Sequence, residues 1–395
     1  MVRLAKCSVV FSTLLALVIG TTGCATSGIK IQSANITNKE ELLNDDFFPN
    51  SQDIVIESKD DIFALTPEMK EVVRNSFIPE RSNHQKALKL VRHIFNESSV
   101  GLAYQSNANL TASQTYENKT ANCMSLTIMA YALARAAGLD AKFQDIEIPE
   151  YWVRNGQYNM LTGHVNLMIS GVKKSNASVV WGGSNVEIDF DPFIRKKRFS
   201  KTKVTLDTVV AMFYNNKGAQ ALVDKDYDLA YRYFSAAVNV APEFAASWGN
   251  LAILYRFTEQ IPLAEQTYRY AVNLDPKSLN TLTNLSILLE VQGKFDEARR
   301  IDSAILKQRI KNPYYHALKA DEAFYAGNPE SAVRHYKRAI KLNDKIHEFY
   351  FGLARVFSSM GRVDSAKLAM RKAININKTP DVEKTYLAKL NLLNN

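Results

Sequence analysis

A repeat of 34 residues organises the C-terminal half of the chain, from about residue 211 onward. Small or apolar residues return at this interval in three columns: Ala230, Ala264, Ala298, Ala332 and Ala366; Ala237, Ala271, Ile305, Ala339 and Ala373; and Gly218, Ala252, Ser286, Ala320 and Ala354. Small residues at fixed helical positions let neighbouring helices approach closely, so the columns indicate packing. The pattern predicts five units of two antiparallel helices over roughly 211–380, followed by a capping helix over 381–395.

The pattern is different between residues 61 and 205, where helical periods come first and strand periods follow. Apolar residues at helical spacing predict helices over 67–77 and 82–95, and a third helix is predicted from Asn122 to Gly138. Short segments rich in β-branched residues predict antiparallel strands at 164–170, 178–181 and 186–190. Helices followed by strands indicate an α+β domain.

The first residues have the features of a bacterial export signal. A short basic region precedes the apolar run VVFSTLLALVIG, which is too short to span a bilayer. The next stretch, TTGCAT, resembles a lipobox, with Thr21 where Leu is usual. The resemblance implies a signal peptide over 1–23 and lipidation of Cys24, and Ala25 implies an outer-membrane anchor with the domains in the periplasm. Residues 24–60 are polar and predict a tether whose last part docks on the next domain.

Composition supports a folded, multidomain protein. Hydrophobic residues make up 46% of the 395 positions, and Gly and Pro number only 16 and 11, which excludes disordered and low-complexity chains. Three cysteines cannot form a disulfide framework. Cleavage would remove Cys7 and lipidation would consume Cys24, so Cys123 would be the one free thiol of the mature protein.

Cys123 belongs to a set of residues that could carry nucleophilic chemistry, which needs a thiolate, a nearby imidazole and a group that orients the imidazole. The predicted helix start at Cys123 favours the thiolate. His164 opens a predicted strand and is the only histidine between residues 94 and 315. Asp189 lies on the segment 186–190, and Asp191 is its rival because residues two apart on a strand share a face. We favour Asp189.

These residues also carry a family resemblance. The stretch TASQTYENKTANCMSLTIMAYALARAAGLDAKFQ resembles the catalytic helix of transglutaminase-like proteins, and GHVNLMI and VEIDFDP resemble their histidine and aspartate strands. The resemblance covers about residues 65–205 and implies a papain-like α+β fold with Cys123 as nucleophile, His164 as general acid and base, and Asp189 as orienting carboxylate. Asn166 stands where many relatives have Trp. The 34-residue repeat resembles the tetratricopeptide (TPR) repeat.

The sequence contains little that indicates any other kind of chemistry. The sequence has no HExxH, CxxC or Gly-rich phosphate motif, and its six histidines are dispersed, so we expect neither a metal nor a cofactor. The oxyanion donors are open between the backbone N–H of Cys123 and a side chain of Gln114 or Asn122. The basic run 195–203 predicts a solvated linker or an attraction to anionic headgroups. With one aromatic in that run and a secreted chain, we expect no nucleic-acid partner.

The predicted order is therefore signal peptide (1–23), tether (24–60), transglutaminase-like domain (61–205) and TPR repeats with a capping helix (206–395). We expect a membrane-anchored cysteine peptidase or amidase acting on protein or peptide amides, or an acyltransferase, whose TPR groove binds a substrate or protein partner. The alternative is a TPR scaffold lipoprotein for envelope protein assembly, with a catalytically degenerate domain.

Overall fold

A computed structural model describes most of the chain: residues 39–94, 103–105, 107–150, 152–155, 158–161, 163–170, 185–190, 199–377 and 380–394. The predicted signal peptide, Cys24, the predicted strand 178–181 and Asp191 lie outside the described residues. Within these ranges, no helix combines the length and the apolar character needed to cross a membrane.

Five helices open the α+β domain, and each begins at a side chain that caps it. They are α1 (Lys59–Phe63), α2 (Pro67–Val72), α3 (Asn83–Arg92), α4 (Ala112–Asn118) and α5 (Cys123–Ala136). The caps are Ser58, Thr66, Ser82, Thr111 and Asn122, whose side chains accept a hydrogen bond from a backbone N–H of the first turn. A π-helical turn, Val73–Phe77, completes the predicted helix over 67–77.

The strands form small sheets, and β1 and β2 lie between the helices while the other strands follow α5. In chain order they are β1 (Ala103–Tyr104), β2 (Thr120–Ala121), β3 (Ala141–Ile146), β4 (Trp152–Asn155), β5 (Tyr158–Leu161), β6 (Val165–Ile169), β7 (Val186–Ile188) and β8 (Lys201–Val204). The main sheet has the order β7-β6-β3-β8 and is antiparallel throughout, while β4 and β5 form a separate hairpin. Strand β8 lies inside the basic run, so this part of the predicted linker is an edge strand.

Helix α5 packs against the main sheet and sets the core of this domain. Ile128 and Leu133 on the helix and Phe143 and Leu167 on the sheet are all fully or almost fully buried in one cluster. The Tyr131 ring stacks on the ring of Phe143 with centroids 4.4 Å apart. Because α5 lies across β3 and β6, its first turn lies beside the start of β6. The relation of this domain to the papain-like fold stays a prediction.

The C-terminal part of the chain is a helical array of five antiparallel pairs and a final helix. The pairs are α6 (Leu206–Val223) with α7 (Tyr227–Val240), α8 (Ala245–Phe257) with α9 (Ile261–Leu274), α10 (Leu279–Val291) with α11 (Phe295–Arg309), α12 (Pro313–Tyr325) with α13 (Pro329–Leu342), and α14 (His347–Ser359) with α15 (Val363–Ile376); α16 is Pro380–Asn394. The five alanines of the first column are all 0% exposed. A Cβ at Gly218 would lie 2.7 Å from the Phe234 ring, so the helices of the first pair are closer there than any side chain allows.

The turns within the pairs place one residue in the left-handed region. Gly293, Gly327 and Gly361 do so in the last three pairs, with φ of 76°, 76° and 70°. The same position carries Lys225 and Glu259 in the first two pairs, with φ of 64° and 62°. Glycine adopts this conformation without strain, whereas Lys and Glu do not, so the first two turns depend more on the packing around them.

The segment predicted as a tether packs on the first repeats from residue 39, and Ile56 in its last part packs against the hydrophobic cluster that contains the core of the α+β domain. Leu42 and Phe48 are buried in the core of the first repeats. The Tyr255 hydroxyl donates to the Leu42 carbonyl at 2.7 Å, and the Tyr231 ring stacks on Phe48 with centroids 4.4 Å apart. This segment therefore covers α7 and α8, and the chain reaches the α+β domain only afterwards.

Candidate functional site

Cys123 is the first residue of α5 and is half-buried, with a free thiol. The Asn122 side chain caps this helix by accepting from the Ser125 N–H at 2.8 Å. The Thr127 hydroxyl contacts the Cys123 carbonyl oxygen at 2.7 Å and the Val165 carbonyl oxygen at 3.2 Å. Thr127 thus joins the first turn of α5 to β6 and fixes Cys123 beside the residue that precedes this strand.

That residue is His164, and it pairs with Asp189. Its Nε2 lies 2.9 Å and 3.0 Å from the two carboxylate oxygens, and the residues are 4% and 5% exposed. The backbone of His164 is held as well, because the Ile146 N–H donates to its carbonyl at 2.9 Å. His164 precedes β6 and Asp189 follows β7, so the pairing of these neighbouring strands brings the two side chains together.

Cys123 is the third member of this group, and its side chain lies close enough to His164 to influence the pKa of the imidazole. Burial lowers the pKa of His164, but the hydrogen bond to Asp189, the charge of that carboxylate and the neighbouring Cys123 side chain outweigh this effect and raise the pKa from 6.5 to about 9. A protonated imidazole beside a sulfur can stabilise a thiolate and later deliver its proton to a leaving group.

Asn166 is part of this site, although the sequence marked it only as a departure from a family pattern. It is 2% exposed, and its amide nitrogen donates to Oδ2 of Asp189 at 3.1 Å. The position two residues after His164 on the same strand was the available signal, because alternate residues share a face. Asn166 and the imidazole therefore both contact Oδ2 of Asp189, and together they fix the carboxylate.

The side chains considered as oxyanion donors have structural roles. Oε1 of Gln114 accepts from the Thr111 N–H at 3.1 Å in the capping box of α4. The Asn122 amide nitrogen donates to Asn109 at 2.9 Å while its oxygen caps α5. The backbone N–H of Cys123 lies in the first turn of α5, where amides have no partner within the helix. This amide is the strongest of the three candidates.

A metal site is not seen in the part of the chain that the structure describes, which holds no group of three His, Cys, Asp or Glu side chains able to bind one ion.

Comparison with known proteins identifies the class of the helical array. Residues 318–380 match the family model described as tetratricopeptide repeat. The prediction of TPR repeats is confirmed, and the chain carries a repeat class that serves protein interaction. The match begins well after the α+β domain, so the transglutaminase-like resemblance of that domain stays a prediction.

Individual relatives share the repeats at low identity. Tetratricopeptide repeat protein 8 of Caenorhabditis elegans is 24% identical over 31% of this chain and 24% of its own length. The human protein O-mannosyl-transferase TMTC3 is 21% identical over 42% of this chain and 20% of its own length. The chain thus spans less than a quarter of these curated relatives.

Among solved structures, a TPR protein of Thermus thermophilus is 21% identical with a TM-score of 0.30, covering 46% of this chain and 99% of its own. PilF of Pseudomonas aeruginosa is 14% identical with a TM-score of 0.29, covering 48% and 91%.

The raised pKa of His164 predicts how the stability of the fold depends on pH. Because the folded-state pKa of about 9 exceeds the ordinary value of 6.5, the protonated ring stabilises the folded state. The contribution, up to about 3 kcal/mol, is full below pH 6.5 and is lost as the pH rises through about 9. Urea unfolding of wild type and His164→Gln between pH 6 and 10 measures it. The gap in unfolding free energy should close with rising pH; a gap independent of pH would contradict the assignment.

Proposed function

We propose that this chain is a membrane-anchored cysteine hydrolase of transglutaminase-like type, a protease or amidase that acts on protein or peptide amides. The observation that carries the proposal is the half-buried thiol of Cys123 beside the buried, hydrogen-bonded pair of His164 and Asp189. Taken singly, a Cys, a His or an Asp of this kind often has only a structural role. Here a thiol at a helix start, an imidazole and a buried carboxylate lie side by side, and together they meet the requirements of a cysteine nucleophile.

The reaction follows from the arrangement. The Cys123 thiolate attacks the carbonyl carbon of the amide, and the backbone N–H of Cys123 stabilises the oxyanion. The protonated His164 gives its proton to the leaving amine as the C–N bond breaks, which leaves a thioester. Neutral His164 then takes a proton from water, the hydroxide forms the acid, and the thiolate leaves. An amine in place of water would give transamidation, and we favour water because bacterial domains of this type more often resemble proteases.

The repeats would bind the polypeptide. Asn216, Asn250 and Asn284 recur at the 34-residue interval on α6, α8 and α10 and are half-buried. An amide side chain offers both a donor and an acceptor, as a polypeptide backbone does. The Asn216 amide nitrogen lies 3.3 Å from Sδ of Met124, the neighbour of Cys123. This column of asparagines therefore leads from the repeats to the candidate nucleophile.

The anchor belongs to the same proposal. Lipidation of Cys24 would hold the chain at the outer membrane of a Gram-negative bacterium, facing the periplasm, because acyl chains partition into a bilayer without a spanning helix.

Incubation with fluorescently labelled casein tests the activity. We expect wild type to release labelled peptides and Cys123→Ala to release none. Addition of a fluorescent primary amine separates the two reaction types, because transamidation would label casein and hydrolysis would not. Two results together would refute the proposed enzymatic activity. Wild type would leave casein intact and unlabelled, and iodoacetamide would label Cys123 slowly and at a rate that does not depend on His164.

The second candidate is the scaffold, which the TPR repeats favour by themselves. In that case the domain around Cys123 is a platform, and recruitment of an envelope protein is the function. The discriminating variant is again Cys123→Ala, which should behave as wild type in every assay if the scaffold is correct.

A further inference from the structure

The base of the β4–β5 hairpin is fixed to the third helix pair of the array by a two-pronged ion pair. Nε and Nη2 of Arg309, at the end of α11, donate to the two carboxylate oxygens of Glu150 at 2.8 and 2.9 Å. The side chains are 9% and 19% exposed although they lie 159 residues apart in sequence. Geometry of this kind makes an ion pair strong, and loss of one partner leaves the other charge buried and unpaired.

Further contacts surround the ion pair. The Asn312 amide nitrogen donates to the Glu150 carbonyl at 2.7 Å, and the Trp152 ring lies 5.1 Å from the guanidinium of Arg309. The Thr283 hydroxyl accepts from Nη1 of Arg309 at 2.8 Å. All three side-chain nitrogens of Arg309 are thus engaged, and the repeats hold Glu150 and Trp152 through backbone and side-chain contacts.

Glu150 and Trp152 are each connected to the candidate catalytic histidine through neighbouring strands. Glu150 follows β3 by four residues, and the last residue of β3, Ile146, donates its N–H to the His164 carbonyl. Trp152 pairs with Leu161, three residues before His164. A displacement of the hairpin base would therefore act on His164 from both sides.

We propose that Arg309 is a positioning residue for His164, so that the repeat array completes the hydrolase site. This rests on the proposed function. Arg309 does not contact the thiol; it holds Glu150 and Trp152, and through them the segment that sets the place of His164 relative to Cys123. A nucleophile and its base need alignment on the ångström scale. The array therefore contributes to the reactivity of the thiol by holding the hairpin that positions His164.

The test uses the full chain and the rate at which iodoacetamide alkylates Cys123. Arg309→Ala and the isosteric Glu150→Gln should each lower the rate at pH 6 by roughly 10-fold and shift its pH profile, because the hairpin is released. Arg309→Lys should lie between them and wild type, since Lys keeps the charge but not the two-pronged geometry. Arg299→Ala on the same helix is the control; its side chain is 73% exposed, and wild-type rates are expected.

The outcomes separate this inference from the proposed function. Wild-type rates and pH profiles in folded Arg309→Ala and Glu150→Gln, with a lower melting temperature at most, would show a purely structural contact and overturn the proposal. If Arg309→Ala fails to fold, Glu150→Gln decides alone. A wild-type thiol whose reaction does not depend on His164 would instead refute the hydrolase itself.

Discussion

Replacing His164 with Ala is expected to slow the alkylation of Cys123 at pH 6 by about 100-fold. The reason lies in the surroundings of the imidazole, which is buried, lies beside Cys123 and is paired with Asp189, and whose pKa is raised to about 9. Removal of the ring takes away the positive charge that stabilises the thiolate. Mass spectrometry of the alkylated peptide measures the rate, in a Cys7→Ser and Cys24→Ser background where Cys123 is the single thiol.

A matched control is available in the repeats. His316 on α12 is 6% exposed, so His316→Ala also removes a buried imidazole. Its rate of alkylation should equal that of wild type. If His164→Ala and His316→Ala react equally fast at pH 6, His164 does not activate the thiol and the proposed chemistry fails.

The second large effect is expected from Asp189→Asn, which keeps the shape of the side chain and removes its charge. The carboxylate contributes to raising the pKa of His164 to about 9, so the amide should lower that pKa by about one unit or more. The upper transition in the pH profile of alkylation then moves toward neutral pH, and casein hydrolysis falls by about 100-fold or more.

Two other carboxyl groups near His164 or Asp189 matter for the interpretation of this measurement. Asp145 also interacts electrostatically with His164, and Asp189→Asn leaves this interaction unchanged. Glu187→Gln, on β7 two residues before Asp189, removes a carboxylate that is 43% exposed and paired with Lys201. That control should leave the profile unchanged. An Asp189→Asn profile that also matches wild type would assign the aspartate a purely structural role.

Much of the site could be predicted because its signals are local. Cys123 follows a capping Asn and opens an apolar helix, and His164 directly precedes a mainly apolar strand. Helix caps and strand periods depend on adjacent residues, so the sequence reveals them. The third member depended on strand pairing: Asp189 and Asp191 share a face, and the structure places Asp189 against His164 while Asp191 lies outside the described residues.

Other features depend on contacts that no local pattern encodes. Strand β8 consists of KTKV, with a single apolar residue, and forms because β3 offers a free edge. Leu42 and Phe48 stand in a polar segment, and only the surface of α7 and α8 explains their burial. The ion pair of Glu150 with Arg309 joins two domains.

In the repeats, too, some features follow from a local sequence pattern and others do not. Columns of small residues are a periodic signal and predict the helix pairs. The left-handed turns at Lys225 and Glu259 have no glycine to mark them, and only the register with Gly293 reveals them.

The docking of the N-terminal segment on the first repeats sets a length scale for the anchored protein. Eighteen residues separate Cys24 from Leu42, which is fixed beneath Tyr255. Even a fully extended chain of that length reaches only about 60 Å. With a lipid on Cys24, Leu42 and the surface of α7 and α8 on which it packs would be held within about that distance of the bilayer. The proteins within reach of the thiol would then be those at the membrane surface, however large the compartment around them.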